Sequence, residues 1–151
     1  MAEGQVPRLA IIDLGTNSVR FDVHDLSERQ AVVLHREKLM VRLGSGVFLS
    51  GQLQSDGIQR TLAAFESFAA TARVLRADRV VAFGTAALRE ARNSATLISK
   101  VLEKTGIEIQ IISGEREAQL IARGIIANEK EAGLSERTLL VDIGGGSTEL
   151  S

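Results

Sequence analysis

The sequence predicts an α/β domain with a mixed sheet of about five strands and helices on both faces. Three observations lead to this prediction. The first forty residues contain an apolar run and a segment with the period-two alternation of a β-strand, the period then changes to that of helices, and short apolar runs separate the later helices. Hairpin-linked strands followed by alternating helices and strands are typical of mixed sheets. The chain has 151 residues, of which 44% are hydrophobic and 25% charged, which is enough for one buried core.

The first three predicted strands form an antiparallel meander. The apolar run at 9–12 predicts a buried strand, which ends in the turn Asp13-Leu-Gly15. At 19–24 apolar and polar residues alternate, as is typical of a strand with one buried and one polar face. A third strand is predicted at 31–41. The turn after the first strand therefore joins two neighbouring strands.

The rest of the chain alternates helices with short strands. After a glycine-rich loop, the apolar spacing predicts a helix over 58–75 with Ser55 as its N-cap. Gly106 is expected to end a later helix, and Ser113 to cap an amphipathic helix that carries Glu117 in its first turn. The remaining predicted elements are strands at 80–83, 107–112, 139–142 and 147–151, and helices from about 86 and over 94–104.

Charge and composition exclude several classes of partner. The formal net charge of −1 provides no global attraction for nucleic acid, and five Phe without Trp or Tyr leave few side chains on which bases could stack. No apolar run approaches the roughly 18 residues that a membrane-spanning helix requires, and the first residues lack the pattern of a signal peptide. The chain has no cysteine, which agrees with a reducing compartment. We therefore expect a cytoplasmic protein with no nucleic-acid or membrane partner.

The first candidate site is the turn between the first two strands. Gly15 permits the turn, and the side chains of Thr16, Asn17 and Ser18, together with backbone N–H groups, can face an anion. Asp13 precedes them at the end of the strand. Because Asp-x-Gly-Thr turns are often simple hairpins, this motif alone has modest specificity.

The second candidate site follows the strand predicted at 139–142. Its residues are Asp142, Gly144, Gly145, Gly146, Ser147, Thr148 and Glu149. The three consecutive glycines leave a row of backbone N–H donors without side chains, with a carboxylate at each end of the segment. Because glycines cost conformational entropy on folding, a merely structural turn seldom needs three, and the pattern favours a phosphate-binding loop. It matches neither the dinucleotide-binding fingerprint nor a Walker A loop.

The two Asp-x-Gly turns are more informative together than separately. Two such turns can approach a chain of phosphates from opposite sides, with a magnesium ion between the carboxylates of Asp13 and Asp142. We therefore expect both turns to face one cleft, with Mg²⁺ or another divalent cation as the cofactor.

Four segments resemble those of the exopolyphosphatase / guanosine pentaphosphatase family, in the same order. They are 12–18 (IDLGTNS), 84–93 (GTAALREARN), 112–118 (ISGEREA) and 142–150 (DIGGGSTEL). The resemblance covers nearly the whole chain and implies the ribonuclease H-like fold of the actin-like, sugar-kinase-like superfamily, whose members bind phosphate between two similar domains. By this resemblance residues 1–151 are the N-terminal phosphate-binding domain, and the second domain is absent from the sequence.

The resemblance also implies roles for individual residues. Glu117 would orient or deprotonate the attacking water, while Asp142 and Glu149 would place Mg²⁺ and part of the nucleophile. This division agrees with the chemistry, because hydrolysis of a terminal phosphoryl group requires an in-line water, charge neutralisation and backbone donors. Arg116 occupies the position before Glu117 where the family often has a second acid, so a helper role for that acid is in doubt here.

Two arginines complete the predicted phosphate site. Arg20 lies on the polar face of the second strand, and Arg89 lies in the segment that resembles a basic phosphate contact of the family. Either guanidinium could bind phosphate oxygens bidentately, and either could instead be a solvated surface group. The full set of predicted phosphate-binding residues is Gly15, Thr16, Asn17, Ser18, Arg20, Arg89, Gly144, Gly145, Gly146, Ser147 and Thr148.

The resemblance predicts release of inorganic phosphate from polyphosphate ends or from guanosine pentaphosphate. The alternatives are an ATP-dependent kinase of the same superfamily and a non-catalytic module that senses polyphosphate or guanosine tetra- or pentaphosphate. A filament-forming relative of actin receives no support from the segment around Glu117. Sequence alone does not decide between the two substrates, and it leaves open a homodimer and activity of the 151 residues alone.

Overall fold

A computed structural model describes residues 7–28, 30–128 and 141–150 of the chain. Its strands are β1 (Arg8–Leu14), β2 (Ser18–Asp25), β3 (Val32–Met40), β4 (Arg79–Gly84), β5 (Ile109–Ile111), β6 (Val141–Ile143) and β7 (Thr148–Leu150). Its helices are α1 (Val47–Ser50), α2 (Ser55–Val74), α3 (Ala86–Glu90), α4 (Ser94–Thr105) and α5 (Gly114–Asn128).

Five of the strands form one mixed sheet in the order β3-β2-β1-β4-β5. The first three strands are antiparallel neighbours, whereas β4 runs parallel to β1 and β5 runs parallel to β4. The parallel strands are connected through helices, because a parallel neighbour cannot be reached by a tight hairpin. The predicted mixed α/β sheet and its opening meander are therefore confirmed.

One face of this sheet carries the core. Alternate side chains of β1 and β2 are buried there, as the period of two predicted, and helices α2 and α4 supply the facing apolar side chains. Phe21 of β2 stacks on Phe68 of α2, with ring centroids 4.6 Å apart. The largest fully buried side chains include Ile12, Leu14, Phe21, Phe65, Phe68 and Leu97.

The other face of the sheet is lined by half-buried and exposed side chains near the ends of β1 and β4. Asp13 and Phe83 lie in register on these neighbouring strands. Across a cavity they face Leu120 and Ile121 of α5. The predicted apolar face of α5 is thus only half-buried and lines this cavity. Helices lie on both sides of the sheet, but the two sides are packed differently.

Helix boundaries test the predicted capping residues. Gly106 ends α4 in the left-handed conformation, with φ of 74°, as predicted. The Oγ atom of Ser113 accepts the N–H of Arg116 at 3.1 Å, which confirms Ser113 as the cap of α5. Ser55, however, is not a cap: α2 begins at Ser55 itself, and the N-cap is Gln54, whose side chain makes no capping hydrogen bond.

A short helix and a separate hairpin complete the fold. The region predicted as a glycine-rich loop contains α1, a single turn bounded by Gly46 and Gly51, both with positive φ. Strands β6 and β7 pair with each other as a two-stranded sheet. Residues 139, 140 and 151, which belong to the last two predicted strands, lie outside the described residues. Among the described helices, none combines the length and apolar character needed to cross a membrane.

Candidate active site

The first Asp-Gly turn connects β1 to β2 and is held rigidly. The N–H of Gly15 donates to the carbonyl of Ser18 at 3.0 Å, and a Cβ at Gly15 would lie only 3.2 Å from that oxygen. The carbonyl of Thr16 accepts the N–H of Gly44 at 2.8 Å, and that of Asn17 accepts two further N–H groups from the segment after β3. Thr16 is buried. The turn is therefore fixed from both sides by backbone hydrogen bonds.

The second Asp-Gly turn connects β6 to β7 and repeats the same backbone pattern. The N–H of Gly144 donates to the carbonyl of Ser147 at 2.9 Å. Asp142 pairs across the hairpin with Glu149, just as Asp13 pairs with Arg20 in the first hairpin. Each hairpin thus presents an aspartate two residues before the glycine that starts its turn.

The two turns pack directly against each other. A Cβ added to Gly145 would lie 2.5 Å from Nδ2 of Asn17, and one added to Gly146 would lie 2.5 Å from Oγ1 of Thr16 and from the ring of Phe48. Real Cβ atoms do not approach other atoms so closely, so a side chain at Gly145 would force Asn17 to move, and one at Gly146 would collide with the buried Thr16. The turns, although 129 residues apart along the chain, form one surface.

A single cavity of about 580 Å³ opens beside the two turns. Most of the predicted site residues line it, namely Asp13, Gly15, Thr16, Asn17, Ser18, Arg20, Glu117, Asp142, Gly144, Gly145, Gly146 and Ser147. The predicted common cleft is therefore present. Arg89 and Thr148 do not line it, and the side chain of Glu149 lies outside the described part of the structure.

Seven residues at the cavity were not among the predicted site residues: Lys38, Phe83, Thr85, Ile112, Leu120, Ile121 and Ile143. Lys38 could have been found from sequence only with the register of β3 on β2, which places Lys38 opposite Arg20. Leu120 and Ile121 belong to α5, which was predicted as an amphipathic helix, and here they form a wall of the cavity. Lys38 is the only cation among these seven residues.

The carboxyl group of Asp13 has a raised pKa. Burial by the surrounding protein is the main cause, the charge of Arg20 acts in the opposite direction, and the charge of Asp142 raises the pKa further. Part of Asp13 is still accessible to solvent, because the cavity opens at this point. The effect of Asp142 indicates that the two aspartates are close enough for their charges to repel.

The donor set at the cavity suits a divalent cation. Mg²⁺ binds through one or two carboxylates together with water and substrate phosphates, and a divalent cation between Asp13 and Asp142 would relieve their repulsion. No group of three or more His, Cys, Asp or Glu occurs among the side chains that the structure describes. The backbone of Glu149 pairs with that of Asp142, and its role as a third metal ligand stays a prediction.

Glu117 is held at the cavity by an ion pair. Its Oε2 atom lies 2.8 Å from Nη1 of Arg89, and both side chains are largely buried, with 16% and 20% exposure respectively. The same Nη1 atom donates to the carbonyl of Ile112 at 2.9 Å. Glu117 lines the cavity and Arg89 does not. The arginine predicted to contact phosphate therefore lies behind the predicted catalytic carboxylate.

Comparison with known proteins supports the resemblance seen in the motifs. Residues 22–151 match the model of the "Ppx/GppA phosphatase family". The chain is 35% identical over 144 residues to a guanosine-5'-triphosphate,3'-diphosphate pyrophosphatase of Photobacterium profundum, and 34% identical over 152 residues to exopolyphosphatase 2 of Mycobacterium tuberculosis. Each alignment covers 95% of this chain but only 28% and 47% of the two relatives, so the chain spans less than half of their length.

Solved structures agree with the sequence relatives. An exopolyphosphatase from Cytophaga hutchinsonii superimposes with a TM-score of 0.89 at 31% identity, covering 95% of this chain and 45% of the other. A Ppx/GppA family member from Aquifex aeolicus superimposes with a TM-score of 0.85 at 27% identity, covering 97% and 47%. These matches confirm the fold predicted from the motifs. The chain belongs to the Ppx/GppA phosphatase family.

Proposed function

We propose that the complete protein carrying this chain hydrolyses phosphoanhydride bonds and releases inorganic phosphate from the ends of polyphosphate or from guanosine pentaphosphate. The observation that carries this proposal is the single cavity lined by both Asp-Gly turns and by Glu117. The names of the family relatives include both activities. Hydrolysis needs an anion site, a divalent cation and a group that activates water, and this cavity offers candidates for each.

The two turns would bind the terminal phosphate. Backbone N–H groups of a glycine-rich loop attract anions, and the hydroxyl groups of Ser18 and Ser147 lie on the same cavity wall. Arg20 would add a charge-assisted contact beside Asp13. The remaining predicted phosphate-binding residues keep the roles proposed from sequence. The phosphate would thus be held mostly by uncharged N–H and O–H donors, and the guanidinium of Arg20 would be the charged contact.

Asp13, Asp142 and Glu149 would hold a divalent cation, proposed as Mg²⁺. When bound, that cation would neutralise negative charge on the phosphate oxygens. Asp13 lies on β1 and Asp142 on β6, so the two carboxylates would approach the cation from different elements of the fold. This arrangement links metal binding to the contact between the turns.

Glu117 would accept the proton of the attacking water. Its carboxylate is fixed by Arg89, and this bond gives Arg89 a second proposed role beside the phosphate contact predicted from sequence: holding the carboxylate at the cavity. The apolar side chains of Leu120 and Ile121 line the same cavity and would limit access of other water molecules. An oriented carboxylate beside a bound phosphate is what in-line hydrolysis requires.

The whole site is proposed to need a second domain. This chain spans less than half of the relatives that it matches, and the cavity is open. A second domain of the complete protein would cover the substrate from the opposite side and would decide between polyphosphate and guanosine pentaphosphate. A homodimer of the complete protein is a further proposal.

Glu117→Gln in the complete protein tests this function. The amide oxygen can still accept the hydrogen bond from Arg89, so we expect kcat for phosphate release to fall about 100-fold or more while substrate binding changes by less than about twofold. The assay follows inorganic phosphate from polyphosphate and from guanosine pentaphosphate with Mg²⁺.

Glu115→Gln is the matched control, because Glu115 lies in the same first turn of α5 but is exposed and does not line the cavity. Unchanged turnover in Glu117→Gln rejects Glu117 as the base. Phosphate transfer that depends strictly on an added acceptor identifies a kinase instead, and binding without turnover in the wild type identifies a sensing module.

A further inference from the structure

The polar face of the antiparallel part of the sheet carries a row of charged residues that starts at the cavity. Asp13 of β1 pairs with Arg20 of β2, and Arg20 pairs with Lys38 of β3. Cross-strand partners project to the same face of a sheet. The row therefore extends over two strand spacings, roughly 10 Å, from the first Asp-Gly turn to the edge of the sheet.

The two cations of this row differ from the next cation along β3. Arg36, two residues before Lys38, forms a bidentate pair with Asp22, with Nη2 to Oδ2 at 2.8 Å and Nε to Oδ1 at 3.1 Å. Within the described residues, neither Arg20 nor Lys38 forms an ion pair or a side-chain hydrogen bond. Both are exposed. Their charges are therefore available to an anion, whereas the charge of Arg36 is already neutralised.

The surface between these cations is a continuous depression. Arg20 and Lys38 line the cavity of the candidate active site and also an adjoining hollow of about 390 Å³, which includes Asp22, Arg36 and Glu37. The two carboxylates of the hollow are each engaged, Asp22 by Arg36 and Glu37 by His35 at 3.4 Å. A linear anion that leaves the cavity beyond Asp13 along this path therefore meets Arg20 and Lys38, neither of which has an ion-pair partner within 4 Å among the described residues, while the carboxylates of the hollow already have hydrogen-bonding partners.

We propose that Lys38 is an outer phosphate contact, which binds the second or a later phosphate of a linear chain whose terminal phosphate lies between the two Asp-Gly turns. The proposal rests on the proposed function for the position of the terminal phosphate. It adds to that function a named contact for a phosphate beyond the terminal one, because the row is longer than a single phosphate ion. The chain would follow the sheet from Arg20 to Lys38.

Equilibrium binding in the complete protein tests this proposal. Tripolyphosphate and orthophosphate are titrated by calorimetry, without Mg²⁺ so that no turnover occurs. We expect Lys38→Ala to weaken tripolyphosphate binding about fivefold to tenfold, the loss of one charge-assisted contact, and to change orthophosphate binding by less than about twofold. Lys38→Arg should restore most of the affinity, because the charge returns.

Lys100→Ala is the matched control, since it removes one positive charge from an exposed position on α4 that lines neither the cavity nor the hollow. It should leave tripolyphosphate binding within about twofold of the wild type, because a distant exposed charge is screened by salt. An equal loss in both variants would show a general charge effect and overturn the proposal. A Lys38→Ala effect of equal size on orthophosphate would also overturn it, as would wild-type protein that does not bind tripolyphosphate.

Phosphate release from polyphosphate and from guanosine pentaphosphate is measured on the same preparations with Mg²⁺. Turnover without Lys38-dependent binding refutes the outer contact and retains the proposed hydrolase. Lys38-dependent binding without turnover retains the outer contact and refutes the hydrolase. An increase in KM of Lys38→Ala that is confined to one substrate identifies which phosphate chain follows the row, and an increase for both supports a path that the two share.

Discussion

The two Asp-Gly hairpins of this chain have the same turn but different surroundings. In both, the N–H of the glycine two residues after the aspartate donates to the carbonyl of a serine three residues further on, at 3.0 Å in the first hairpin and 2.9 Å in the second. In both, the aspartate pairs with the residue seven positions later. That partner is Arg20 in the first hairpin and Glu149 in the second. One backbone motif is thus used once beside a cation and once beside an acid.

The surroundings of the hairpins differ as much as these partners do. The strands of the first hairpin belong to the five-stranded sheet, and Leu14 and Val19 beside its turn are fully buried. The second hairpin forms a two-stranded sheet, and Ile143 beside its turn is 78% exposed. A two-stranded hairpin is marginally stable by itself. The first hairpin is therefore supported by the sheet and the core, whereas the second depends on its contacts with the first turn and with α5.

The largest expected effect comes from separating the hairpins. Gly146→Ala places a methyl group against Thr16 and the ring of Phe48, so the second turn must move away from the first. Because both turns would hold the same phosphate, we expect kcat/KM for phosphate release by the complete protein to fall about 100-fold.

Gly124→Ala in α5 is the matched control, since a Cβ there meets nothing within 4 Å. It should retain activity and raise the free energy of unfolding by about 0.5–1 kcal/mol, the helix preference of Ala over Gly. Activity of Gly146→Ala close to the wild-type level would show that the contact between the turns is not needed for the reaction.

A smaller effect is expected when the positive charge of the first hairpin is removed. Arg20→Gln keeps a hydrogen-bond donor opposite Asp13 but removes the cation. We expect KM for polyphosphate to rise about tenfold, equivalent to about 1.4 kcal/mol of binding free energy, with a smaller change in kcat. A decrease in kcat at constant KM would instead assign Arg20 to the transition state.

The smallest effect concerns the stability of the metal-free protein. The pKa of Asp13 is raised by burial and by the charge of Asp142, and partly lowered by Arg20. A raised pKa in the folded state contributes stability below the unfolded pKa of about 3.9 and loses it as pH rises through the folded value. Asp13→Asn should therefore have a higher Tm than the wild type at pH 7, and this difference should shrink towards pH 4.

The measurement is thermal unfolding in EDTA across that range of pH. The difference should also shrink when Asp142→Asn is added to both proteins, because one source of the raised pKa is then absent. A Tm difference that does not vary with pH would show that the surroundings of Asp13 do not destabilise its ionised carboxylate.

Much of the fold was predictable because its signals are local. The alternation at 19–24 identified a strand with one buried face, and the period of 3.6 after the glycine-rich loop identified α2. Ser113 and Gly106 marked helix ends through their own hydrogen-bonding and backbone properties. Helix α1 was missed because four residues between two glycines show no period. Ser55 was misplaced because a serine in the first turn of a helix resembles one at the cap.

The two turns, with their glycines and carboxylates, could be located from the sequence, because each is a property of a few consecutive residues. The contact between the turns, the bond by which Arg89 holds Glu117 from 28 residues away and the place of Lys38 beside Arg20 follow only from the folded chain. Strand register and the packing of distant segments depend on burial of the whole core, and a short stretch of sequence does not predict that burial.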